Sequence, residues 1–174
     1  AKTPSPRVFS GVACLQVDRH SDDVLIVVHG GSDDGEEVDP GGCTRVLSDV
    51  WIFTPAAGGS SSSGSRATGV TGTWGCVQRD ASPSECDVMG LPRARARHSV
   101  CVWMGCSMIV FGGMGDEGRC LGDVWTYDRG GVDHLKQGWH MLHRGETAHS
   151  PLPRCGHSSS ILNDKLYMFG GEAE

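Results

Sequence analysis

Apolar residues along this 174-residue chain gather into short runs separated by turn-forming residues, and the order of the runs repeats. Laid against itself, the sequence aligns "PRVFSGVACLQVDRHSDDVLIVVHGG" (6–31), "RARHSVCVWMGCSMIVFGG" (95–113) and "PRCGHSSSILNDKLYMFGG" (153–171). Each carries an arginine at or near its start, Arg7, Arg95 or Arg154, with Ser10, His98 or His157 three residues on, and runs through two apolar stretches into a glycine pair. The first two continue in parallel, through "LSDVWIF" (47–53) and "GTWGCV" (72–77), or "LGDVWTY" (121–127) and "GWHML" (138–142). Self-similarity of this kind signals stacked units. Four short apolar runs between turns read as a four-stranded antiparallel meander, with strands A to D.

In the second unit the strands are predicted at 98–103, 107–111, 123–127 and 138–143. Asn163-Asp164 forms the A–B turn of the third unit, because both residues tolerate left-handed backbone. The glycine pair is expected to end strand B where neighbouring backbones come too close for a side chain. Trp51, Trp74, Trp125 and Trp139 suit the wedge between twisted sheets, each worth ~3–5 kcal/mol if fully buried. The three arginines are expected to reach carbonyls or carboxylates of an adjacent unit. Residues 1–78 thus form a first unit, with an acidic B–C loop at 32–48 and a Ser/Gly-rich C–D loop at 56–72. The second unit, with its leading loop, takes 79–143, and 144–174 hold the first half of a third. The tract "GGSSSSGSRATG" has almost nothing to bury and reads as a loop inside a unit, not a linker, since strand-like runs on both sides complete that unit.

This order, Arg-x-x-His or Ser, an apolar strand ending in Gly-Gly, Asp-Val-Trp and then a lone Trp, resembles the kelch repeat, whose units form the blades of a β-propeller. The resemblance spans nearly the whole chain. It implies an all-β fold: a partial kelch-type β-propeller, with two four-stranded antiparallel blades plus the A–B hairpin of a third. The sequence departs from the family's pattern at His29, where an apolar or aromatic residue is usual, and at Ser10, which replaces the usual His. Propellers close with about 4–8 blades. The remaining blades are therefore expected from the same or another chain, or the open edges from a partner's cover.

Composition narrows the partners. A formal charge of −6 disfavours a general nucleic-acid binder, which needs a basic face. The longest uncharged window, 99–115, is shorter than the roughly 20 residues that cross a bilayer, and no charged-then-apolar leader opens the sequence. Neither nucleic acid nor membrane is expected as a partner. Eight cysteines without a C-x-x-C read as reduced thiols in a cytoplasmic or nuclear setting, with Cys43, Cys86 and Cys120 in polar loops.

Candidate chemistry is sparse. His140 and His143 would sit on opposite strand faces and lack a helpful third ligand, so no metal is expected. His157 beside serines lacks elbow geometry, and His98 and His157 read as hydrogen-bonded structural residues. Tyr127 and Tyr167 occupy framework positions. No catalytic or cofactor-binding residue is expected.

What remains is the loop surface. B–C and D–A connections emerge together, and in kelch propellers that face commonly docks peptides or proteins. The B–C loops at 32–48 and 114–122 carry Asp33, Asp34, Glu36, Glu37, Asp116, Glu117 and Arg119. The first D–A loop, 78–94, leads into the cationic run Arg93, Arg95 and Arg97, and the second, 144–153, into Arg154. Juxtaposed loops of opposite charge suit a protein or peptide partner with a charged segment. The expected role is a non-enzymatic adaptor or scaffold. The rivals are a propeller portion of an enzyme or metal-dependent accessory protein, and an architectural subunit of a large assembly.

Overall fold

The structure, a computed structural model, describes residues 2–17, 23–33, 45–56, 71–129, 137–145 and 147–173. The first sheet holds β1 (Arg7–Val8), β2 (Gly11–Gln16), β3 (Val24–Asp33), β4 (Val46–Pro55) and β5 (Gly72–Gln78). β1 and β2 both pair with β3, and the order then runs β3, β4, β5, every pairing antiparallel. A short helix, α1 (Pro83–Met89), leads towards the second sheet. That sheet is a meander of β6 (Ser99–Trp103), β7 (Ser107–Met114), β8 (Cys120–Asp128) and β9 (Gly138–His143). The third unit contributes a hairpin of β11 (Ser158–Leu162) and β12 (Lys165–Phe169), flanked by β10 (Arg154–Cys155) paired with β13 (Glu172–Ala173). Two meanders and a hairpin follow the predicted order.

The main core lies between the first two sheets. Leu15, Val27, Val50 and Ile52 of the first meet Met108, Val110, Trp125 and Tyr127 of the second, all at most 5% exposed. Strand alternation explains the choice, since every second residue faces the neighbouring sheet. Each such side chain contributes about 1.5–3 kcal/mol by leaving water. Trp139 bridges the sheets: its ring meets His29, Trp125 and Tyr127 edge-on, and its Nε1 donates to Gln78 Oε1 at 2.7 Å. Trp74 instead tilts against Phe53 of its own sheet and stays half-buried. It fills no wedge.

Strands B and C run longer than their sequence pattern, because the glycine pair does not end strand B. Gly30-Gly31 and Gly112-Gly113 lie inside β3 and β7, where the pairing shifts register between His29 and Gly31 and between Phe111 and Gly113. Gly30 and Gly112 have φ of 59° each, and a Cβ there would stand 2.6 Å from Arg95 O or 2.7 Å from Arg154 O. The pair is a bulge that lets the next unit's backbone close in.

The arginines also act nearer home than expected. Arg7 donates to Gly30 O and chelates Asp49, while Arg95 donates to Gly112 O and chelates Asp123, each within its own repeat unit. It is the backbone of Arg95 that reaches the previous sheet, through Gly31 N–H to Arg95 O and Arg95 N–H to Leu47 O.

Helix α1 occupies what reads as a loop at 78–94. Its signal was present: Ser82 caps the Glu85 backbone while the Glu85 carboxylate returns to Ser82 N–H, Pro83 opens the helix and Gly90 closes it at φ 65°. Cys86 is consequently buried in a helix and Cys120 begins β8, so neither lies in a polar loop. Cys43 lies outside the described residues.

Candidate functional site

β1 and β10 pair with the far ends of β3 and β13, and Ala96 bridges Met114, so the start of every unit sits where the B–C connection leaves. The third residue of each start turns left-handed: Phe9 at φ 56°, Arg97 at φ 55° and Gly156 at φ 69°. Arg97 N–H donates to Phe9 O, and Gly156 N–H donates to Arg97 O, stitching successive units at one level. Side chains at a left-handed position carry strain, which glycine at 156 avoids. Phe9 is 56% exposed, and the Arg97 guanidinium lies 4.8 Å above its ring. These residues border a hollow of about 420 Å³ with Ser10, His98 and His157.

A second cavity, about 670 Å³, opens at the same end between α1, the start of β8 and the connection from β9 to β10. Asp87, Arg93, Trp125, Met141 and Arg144 line it. Arg93 is held by Asp87 at 2.8 Å, while Arg144 has no ion pair among the described residues. Val88 and Met89 of α1 are 88% and 67% exposed beside it. The cavity therefore offers charged groups of both signs, Asp87 and Asp123 with Arg93 and Arg144, beside the apolar Leu121, Trp125 and Met141.

Beneath this end lies a buried row of histidines. His29 meets His98 edge-on at 5.1 Å, as Phe111 meets His157 at 4.9 Å in the next junction. The His157 ring shares a 2.7 Å hydrogen bond with Ser99 Oγ, but neither ring nitrogen of His29 or of His98 has a protein partner. The hydrogen-bonded role expected of both His98 and His157 thus holds for His157 alone. Burial, then the His98, Arg95 and Arg7 charges, push His29 well below the ordinary histidine range. Burial and Arg95 take His98 down to about 3. Both rings stand neutral. Asp123 stays ionised for the opposite reason: burial alone would raise it, but the Arg95 hydrogen bonds and charge outweigh that and its carboxyl is lowered.

The residues singled out from sequence scatter. Asp116, Glu117 and Arg119 are exposed on the turn between β7 and β8, with Arg119 Nε 3.8 Å from Glu117 Oε2. Asp33 is half-buried at the end of β3, and Asp34, Glu36 and Glu37 lie outside the described residues. Arg93 lines the larger cavity. Arg95 is 0% exposed and fully engaged by Asp123, so as it stands it presents nothing to a partner. Arg154 is half-buried and donates to Gly170 O at 3.0 Å. Sequence reasoning named Arg97 only as part of a cationic run, and missed Phe9 and Arg144. The three-fold alignment did place Phe9, Arg97 and Gly156 at one position, and the glycine there was the available hint. Among the described residues no group of three or more His, Cys, Asp or Glu is arranged to hold a metal.

The family model described as the KLHDC2/KLHL20/DRC7 Kelch-repeats domain matches residues 58–174. The chain belongs to the kelch-repeat family. Its two meanders and hairpin are successive propeller blades, the last of them half present. Over 81 residues, 46% of the chain, it is 36% identical to the F-box/kelch-repeat protein At1g51550 of Arabidopsis thaliana. It is 35% identical over 86 residues to host cell factor 1 of Homo sapiens, and 35% over 81 residues to Kelch-like protein 25 of Xenopus tropicalis, each match covering 47% of the chain. The chain spans only 16%, 4% and 12% of the length of these three relatives.

Proposed function

We propose that this kelch segment is a non-enzymatic protein-interaction module, an adaptor or scaffold that docks a charged peptide segment at the loop end of its blades. The observation that carries this reading is the left-handed row at that end, where Phe9 and Arg97 hold strained backbone yet expose their side chains. Arg97, Arg144 and Arg93 there favour an acidic segment, with the Phe9 ring, Val88 and Met89 supplying apolar contact. The acidic B–C side, with Asp116 and Glu117, orients that segment by repelling it. The seven described cysteines are free thiols, which suits a cytoplasmic or nuclear setting.

The test is a peptide-display selection on the intact chain, repeated with Arg97→Glu and Arg144→Glu combined. The expected outcome is recovery of acidic peptides by the parent chain and their loss, by about tenfold or more, with the variant. Equal recovery by both removes the loop end from the account. Circular dichroism and thermal melting of the variant check that the exposed exchanges leave the fold in place.

A further inference from the structure

Serine precedes proline in the chain leading into each of the three units, at Ser5-Pro6, Ser82-Pro83 and Ser150-Pro151. The structure gives the three hydroxyls different surroundings. Ser5 Oγ accepts from Arg7 Nη2 at 3.2 Å, on a guanidinium whose other N–H groups go to Asp49, Gly30 O and Ser5 O. Ser82 Oγ lies 2.6 Å from Glu85 Oε2 in the capping box of α1. A phosphate on either serine would stand against a carboxylate, Asp49 or Glu85, and like charges at that range repel.

Ser150 differs. Thr147 N–H donates to Ser150 Oγ at 3.2 Å, and His143 Nε2 stands 3.5 Å from the same oxygen. Gly145 N–H donates to His143 Nδ1 at 2.8 Å, so the neutral ring carries its proton on Nε2, the nitrogen that faces Ser150. His143, Arg144 and Thr147 line one open hollow of about 560 Å³, and Arg144 also lines the larger cavity. Among the described residues no carboxylate contacts Ser150, His143 or Arg144; Glu146 lies outside them. The segment lies wholly between β9 and β10, in no sheet, and exposes Thr147, Ala148, His149, Pro151 and Leu152.

We propose that Ser150 is a phosphorylation site for a proline-directed serine kinase, and that the phosphate, held by Arg144, His143 and the Thr147 N–H, closes the loop end to acidic segments. In the transfer, Ser150 Oγ bonds to the γ-phosphorus of ATP, the bond from that phosphorus to the β,γ-bridging oxygen breaks, ADP leaves and the hydroxyl proton passes to the kinase's base. Pro151 supplies the recognition, because a residue without an N–H fits a groove that offers its amide no acceptor. The product carries about −1.5 to −2 charge and three acceptor oxygens where one hydroxyl oxygen now meets Thr147 and His143. Arg144 then turns to that phosphate and away from the larger cavity. The closure rests on the acidic-segment reading of the loop end; the modification itself does not.

The intact chain is incubated with a purified proline-directed kinase and Mg-ATP, beside a free peptide of residues 145–156 that shows the kinase competent, and sites are mapped by mass spectrometry. The expected result is more phosphate at Ser150 than at Ser5 or Ser82, and none at position 150 in Ser150→Ala. In phosphorus NMR the phosphoserine should titrate below its usual pKa of about 6, and in Arg144→Gln return towards it. Acidic peptides selected on the unmodified chain should bind the phosphorylated form at least about tenfold more weakly. A Ser150 left unmodified in the folded chain while the free peptide is phosphorylated overturns the proposal. So does a phosphate whose titration ignores Arg144→Gln, or an unchanged peptide affinity after modification. Acidic peptides that bind neither form overturn the loop-end reading and the closure built on it, while the mapped phosphate and its Arg144-dependent titration uphold the modification site.

Discussion

His29 and His98 show how one junction differs from its neighbour. At the second junction Phe111 packs on His157, whose ring is hydrogen-bonded to Ser99; at the first, His29 packs on His98 and four ring nitrogens go without protein partners. Buried polar atoms left unpaired cost stability. Both rings have folded-state pKa values below those of the unfolded chain, so the unfolded chain takes up protons first as pH falls. The stability that depends on their neutrality is complete above pH ~6.5 and drains away towards pH ~3, with His98 alone accounting for about 2 kcal/mol at pH 5. Urea unfolding at pH 7.5 and pH 5 should show this slope, and His29→Phe, which restores the neighbouring junction's pairing, should flatten it. A variant with an unchanged slope would show that His29 does not titrate in this window. His29 was legible in the sequence as a departure from the repeat, but its lack of partners was not, because burial and contacts come from the packed sheets.

Among the elements, strand B carries the lesson of the glycine pair. Read as a strand end, the pair accounts for the close approach but not for the two residues of pairing that follow it, Ser32 and Asp33 with Val8 and Arg7. The bulge resolves this, since it turns the strand without breaking it. Gly112→Ala should therefore cost about 2–4 kcal/mol, from the left-handed backbone plus the clash with Arg154 O. Gly75→Ala on β5, where a Cβ would meet nothing within 4 Å, should change stability by less than about 0.5 kcal/mol. Chemical denaturation of the two variants side by side separates a conformational requirement from mere glycine content. Helix α1 was missed for a different reason: its capping box, Ser82 with Glu85, is a clear local signal, but it sits in a stretch the repeat assigns to a connection.

On the scale of the whole structure, the described residues expose apolar side chains on the first sheet and on the third unit. Val12 at 53% and the exposed Cys14 mark the outer face of the first sheet, and Phe169 at 83% marks the third unit. Apolar surface of this kind on sheet faces and edges favours association. The chain by itself should self-associate at micromolar concentration, and Tyr167→Lys with Phe169→Glu should shift sedimentation velocity profiles towards monomer. Profiles that do not respond would place the association elsewhere, with the first sheet's face as the next candidate.

The sequence by itself determined the order of the main strands A to D, the Asn163-Asp164 turn and the kelch repeat, because strand alternation and turn chemistry act over a few residues and three copies reinforce one another; the short strands β1, β10 and β13 were not legible in it. Asn163 and Asp164 do turn left-handed, at φ 49° and 57°. Only the tertiary structure decided that Arg95 is buried against Asp123 inside its own unit and that Phe9 and Arg97 stand strained and exposed. Those facts depend on which side chains meet across the sheet and between sheets, distances that no spacing along the chain encodes.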